Sequence, residues 1–154
     1  MNIPTAIKEI LVHNHWDEFN FLMMSDCYAD KLKQSYSKFD YPLNGNIISK
    51  IALFYNMKLE LNQSAILYFD AKKIKKYSPE VMQKVAVKLK VNNVIYLADI
   101  HPGYLTVWLD EQEQVWADYD NLVYYYGSDI FSGVQNIVSG NILETTKLVS
   151  NDER

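Results

Sequence analysis

The chain has 154 residues, of which 49% are hydrophobic and 22% charged, and its formal net charge is −4. A length of about 100–200 residues is that of one domain able to bury a core without metal or disulfide staples. The composition excludes a disordered chain, and the lone Cys27 excludes a disulfide-dense scaffold.

The pattern of apolar residues predicts helices in the first half. Residues 5–13 place Ala6, Ile7, Ile10 and Leu11 at helical spacing, with Thr5 as the cap. Residues 19–24 are too short and apolar for periodicity to separate a strand from a buried helix, and they read as a strand. From Asp26 a helical pattern sets Tyr28, Leu32, Tyr36 and Phe39 on one side, until Tyr41, Pro42, Asn44 and Gly45 break it. A further helix carries Ile47, Ile48, Ile51, Phe54 and Tyr55 and stops at Asn56.

The second half changes period. Residues 65–69 form a strand-like run, and residues 70–77 a lysine-rich turn or short helix. Ser78, Pro79 and Glu80 supply a cap, a preset backbone angle and a favourable charge to a helix whose buried side is Val81, Val85, Ala86 and Leu89. Residues 94–98 read as a strand, which His101, Pro102 and Gly103 punctuate. Alternation over residues 104–110 turns Leu105, Val107 and Leu109 inward and Tyr104, Thr106 and Trp108 outward. Turns at residues 111–113 and at Asp120 and Asn121 then give three consecutive antiparallel strands. Ser128 caps a last helix with Ile130, Phe131, Val134, Ile137 and Val138 on one face and Gly140 at its end, beyond which the tail from residue 149 frays.

Charge is segregated along the chain. Residues 91–146 contain no lysine or arginine but eight acids: Asp99, Asp110, Glu111, Glu113, Asp118, Asp120, Asp129 and Glu144. That stretch carries −8 and the remainder +4. Directly upstream stand Lys72, Lys73, Lys75, Lys76, Lys84, Lys88 and Lys90. An acidic stretch rich in Tyr and Trp suits the steering and docking of a basic partner, and a solvated face is the plain alternative. The lysine run lacks arginine and interleaved aromatics, which argues against nucleic acid as the partner.

Residue types that carry chemistry are sparse. His13, His15 and Asp17 would share a side of an extended segment and could ligate zinc, but a helix separates them and no fourth ligand is near in sequence. Cys27 lacks a placed base. Asp99 and His101 form a suggestive dyad for proton transfer that turn formation explains equally. Only five glycines occur and none builds a phosphate loop. No catalytic group, metal or cofactor is expected. Lys8 and Glu9 interrupt the first apolar stretch, and nowhere do 18 apolar residues run together, so a cytoplasmic protein without a membrane span is expected.

From Ile66 onward the order of motifs resembles the third group of the SUKH superfamily, relatives of the yeast Smi1 and Knr4 proteins. The run Ile66-Leu67-Tyr68-Phe69-Asp70-Ala71 is similar to that family's Phe-Asp strand end, and Val94-Ile95-Tyr96-Leu97-Ala98 to its next strand. Leu105-Thr106-Val107-Trp108-Leu109-Asp110-Glu111 with Val115-Trp116 is similar to its hairpin, Gly127-Ser128 and Gly140 to the bounds of its last helix, and Trp16 to the tryptophan after its opening helix. The chain departs from the family at His15, Ala71 and Gln114, where glycine, proline and glycine are usual. The resemblance spans residues 5–141. It implies a single α+β domain over residues 1–154, an antiparallel sheet with helices packed on one face and at the ends, and no catalytic set. It also implies an immunity protein that neutralises a cognate toxin domain, of nuclease type, by covering its surface, or a Smi1/Knr4-type interaction module. Together with the acidic stretch, it makes Tyr104, Trp108, Asp110, Glu111, Trp116, Asp118, Tyr119, Asp120, Tyr124 and Tyr126 the expected partner-binding face, with a basic protein toxin as the partner, although helices covering the outward strand face would make Trp108 and Trp116 packing residues instead.

Overall fold

The computed structural model describes residues 1–149, apart from the side chain of Gln63. The expected frayed tail therefore falls, beyond Val149, outside the described residues. Helix α1 (Thr5–His13) buries Ile7 and Leu11, as its spacing predicts. Its cap position is Pro4, not Thr5, and no side chain caps it. The proline's φ of −56° already suits a helical turn, so the helix starts one residue early.

The strand expected at residues 19–24 does not exist. Helix α2 runs unbroken over Glu18–Tyr36, opened by Asp17, whose carboxylate accepts the backbone N–H of Asn20. At 100° per residue, Phe21, Met24, Tyr28, Leu32 and Ser35 line the side facing the protein, whereas Phe19, Leu22 and Met23 point the opposite way and are exposed. Apolar character here does not mean burial, which is why the run hid its helical period.

Helix α3 (Gly45–Leu53) is capped by Asn44 and buries Ile47, Ile48 and Ile51. It leads to β1 (Lys58–Glu60), a single 3-10 turn (Asn62–Ser64) and β2 (Ile66–Tyr68). The lysine-rich segment forms a 3-10 turn, Ala71–Lys76, capped by Asp70. Ser78 caps α4 (Pro79–Leu89), as expected, but the buried stripe is Met82, Ala86 and Leu89, and Val81 is exposed. The flexible methionine fills the core position that valine was expected to take.

Strands β3 (Val94–His101), β4 (Leu105–Asp110), β5 (Val115–Tyr119), β6 (Leu122–Gly127) and β7 (Glu144–Lys147) complete a seven-stranded sheet in sequence order, every neighbouring pair antiparallel. Helix α5 (Ile130–Ser139) is inserted before β7; its cap is Asp129 in a capping box with Ser132, not Ser128. Gly140, at φ 72°, takes the left-handed end expected of it. The chain is a single α+β domain.

Two layers of side chains follow from the register. One face carries Ile95, Val107, Leu109, Val115 and Ala117 and meets α5, which in turn touches α1 and α3. The other carries Tyr96, Asp99, Trp108, Trp116 and Asp118. Over β3 and β4 this second face is also covered: Tyr77 lies against the rings of Tyr96 and Trp108, at 5.1 and 5.3 Å between centroids, and Lys88 of α4 reaches Asp118.

Candidate functional site

The expected partner-binding residues do not form one surface. Trp108 is 3% exposed, because Tyr77 and α4 cover the strand face that alternation turned outward. Its indole N–H donates to Asp118 (2.7 Å), which also takes the Lys88 ammonium at 2.6 Å. Asp110 is 0% exposed. Its carboxylate accepts the backbone N–H of Gln112 (2.9 Å) and Gln114 (2.8 Å), the Gln114 amide (3.1 Å) and the Trp116 indole (2.9 Å). This aspartate builds the β4–β5 turn and is closed to any partner. Tyr126 is buried and Tyr124 half-buried on the sheet face that meets α5. Glu111 is half-buried and accepts the backbone N–H groups of Asn92 and Asn93. Trp116 is half-buried too and packs on Tyr125.

Tyr104, Tyr119 and Asp120 alone are exposed, and the register brings their two turns to the same end of the sheet. Tyr104 holds φ at 58° next to the cis bond between His101 and Pro102, and its ring stands 76% exposed. Most of the acidic stretch is spent internally. Glu113 pairs with Lys50 (2.7 Å), Asp99 with Lys73 (2.8 Å), and Asp129 caps α5. With Asp110, Glu111 and Asp118 also bonded, six of the eight acids hold protein partners.

The suggested dyad is not assembled. The two oxygens of Asp99 are taken by the Lys73 ammonium and by the Tyr96 hydroxyl (2.8 Å), and among the described residues no bond joins Asp99 to His101. Burial, and then the Asp99 charge, push the Tyr96 hydroxyl far above its ordinary range, so it stays a donor to that carboxylate. His13 at the end of α1 contacts Glu60 (3.4 Å), and among the described residues no three His, Cys, Asp or Glu side chains gather as a metal site would need. Cys27 is exposed on α2.

What the sequence reading missed is the outer face of α2. Phe19, Leu22 and Met23 are 72%, 67% and 69% exposed, at the i, i+3, i+4 spacing that places them side by side. Asp26 and Asp30 continue the same strip one and two turns on, both exposed, with no ion pair or hydrogen bond among the described residues; Lys33 ends it. The opposite side of the helix packs on α3 and on the 3-10 turn Ala71–Lys76, so the strip has a rigid base. The signal was present in the sequence as a helical spacing, masked by the assumption that a run of large apolar residues is interior.

Among the described residues no helix is long and apolar enough to cross a membrane. Compared with protein-family models, curated proteins and solved structures, the chain matches none.

Proposed function

We propose that this chain acts by binding another protein, and that the partner is a basic toxin domain which it neutralises by covering its surface, as the resemblance to the SUKH immunity proteins implies. The observation that carries the reading is the outer strip of α2: three large apolar side chains in water beside two uncommitted carboxylates. Removing a Phe, Leu or Met side chain from water contributes roughly 1.5–3 kcal/mol, so the three together supply on the order of 5 kcal/mol to an interface centre. Asp26 and Asp30 favour a positively charged partner and speed its approach. Toxins that act on nucleic acid present positive charge where phosphates bind, and carboxylates on a rigid helix occupy such a surface. The exposed end of the sheet, with Tyr104, Tyr119 and Asp120, is a smaller accessible patch whose one carboxylate has no partner among the described residues.

The test is co-expression of the chain with the product of the adjacent gene. Co-purification in a stoichiometric complex, with rescue of growth, is expected. The double variant Phe19→Glu, Met23→Glu should keep its thermal unfolding midpoint, because both side chains lie in solvent, and lose rescue. Rescue undiminished in this variant would move the interface elsewhere. Absence of any complex with a toxic neighbour would remove the immunity reading altogether.

A further inference from the structure

A second surface differs in chemistry from the α2 strip. A 3-10 helix has three residues per turn, so side chains at i and i+3 eclipse one another. In the turn Ala71–Lys76 this sets Lys72 beside Lys75, while Lys73 leaves in another direction to meet Asp99. Facing that pair across a groove is the second half of α2, where Lys31, Gln34 and Ser35 stand at i, i+3, i+4. The groove encloses about 320 Å³, with Tyr55 completing its wall. Lys38, which is not part of the lining, donates its ammonium to the Lys75 carbonyl at 2.8 Å and so ties the turn to the end of α2.

Two features of the groove are unmet. Among the described residues Lys31, Lys72 and Lys75 have no ion pair and no carboxylate lines the cavity, so three like charges border one groove. Ser35 is only 7% exposed, yet its hydroxyl makes no hydrogen bond among the described residues and borders the same space. Water reaches this hydroxyl, which borders the cavity and is free to bond a ligand there. The demand is for a compact, multiply charged acceptor.

We infer that this groove is a phosphate-binding site for a small molecule carrying two or more phosphates. Ammonium groups neutralise phosphate oxygens as point charges, and the Ser35 hydroxyl and Gln34 amide supply neutral donors. The volume lies at the lower end of small-ligand pockets, which suits a diphosphate or nucleotide and not a duplex, whose contacts spread along a stripe. The site is independent of the toxin-binding reading, for it lies at the other end of α2 and uses the opposite charge.

The experiment is a titration of the full chain with pyrophosphate and with ATP, followed by amide chemical shifts at about 10 mM salt, where the Debye length is roughly 30 Å. Saturable shifts centred on Ser35, Tyr55 and the Ala71–Lys76 turn are expected. Lys72→Glu with Lys75→Glu should weaken binding about tenfold or more, Ser35→Ala should weaken it several-fold, and Phe19→Glu with Met23→Glu should not change it. Shifts that fail to saturate, or that sodium sulfate reproduces at equal ionic strength, would overturn the site. Tighter binding of a single-stranded oligonucleotide, weakening steeply with salt, would overturn its assignment to a small molecule.

Discussion

Asp110 shows how a residue with the right chemistry for a surface can be committed to the interior. A carboxylate has room for about four donors, and the Gln112, Gln114 and Trp116 groups supply four. Charge-assisted bonds of this kind are worth about 1.5–3 kcal/mol each, and the isosteric Asp110→Asn turns one acceptor into a donor facing donors. That change should lower unfolding free energy by about 2–3 kcal/mol in urea denaturation, without altering the far-UV spectrum. Glu111, one residue on, offers a pH signature. Burial raises its pKa, but the N–H groups of Asn93, of its own backbone and of Asn92 outweigh that and hold it below the ordinary 4.5. A carboxylate depressed in the folded state adds stability that is present above its unfolded value and lost as pH falls through its folded one. The urea midpoint should therefore drop below about pH 4.5, and Glu111→Gln should be less stable at neutral pH and show a smaller drop. The acidity of both residues is plain in the sequence. Which donors claim Glu111 is not, because Asn92 and Asn93 precede another strand.

Elements whose signals are local are legible before folding. The caps at Ser78 and Gly140 and the stripe of α3 follow from spacing within a few residues. Failures come where the environment sets the meaning of a residue. The outer strip of α2 reads as interior, and β7, with the sequence Glu-Thr-Thr-Lys, has no apolar alternation because it is an edge strand exposed throughout. Close approach of elements is likewise silent in the sequence. Gly133 of α5 packs so tightly on Val115 that an added Cβ would meet the valine side chain well inside contact distance, as close as 2.9 Å even to Cγ1. Gly133→Ala gains about 1 kcal/mol of helix propensity, yet overpacking of about 1–3 kcal/mol should prevail. A net loss is expected in thermal denaturation, and Val115→Ala in the same chain should recover part of it. A more stable Gly133→Ala would show that α5 can shift away from β5.

Across the whole fold, the segregation of charge along the chain disappears. Lysines 50, 73 and 88 cross sequence separations of 63, 26 and 30 residues to reach Glu113, Asp99 and Asp118. Lys73→Met strands the buried Asp99 carboxylate and should cost about 1–3 kcal/mol, less than a fully buried pair because the lysine is one-third exposed. Adding Asp99→Leu should restore a share of that loss; no recovery would mean that the bond to the Tyr96 hydroxyl, and not the ion pair, is what matters. The α+β class and the run of antiparallel strands could be read from the residues, because periodicity and turn chemistry act between near neighbours and a meander joins neighbours in order. Which acids and lysines remain available to a partner could not, since Asp99, Glu111, Glu113 and Asp118 meet groups distant in sequence. Folding ties six of the eight acids of the β-rich half to groups of the protein itself, and leaves Asp26 and Asp30 on the outer side of α2 and Lys72 and Lys75 near that helix's other end exposed.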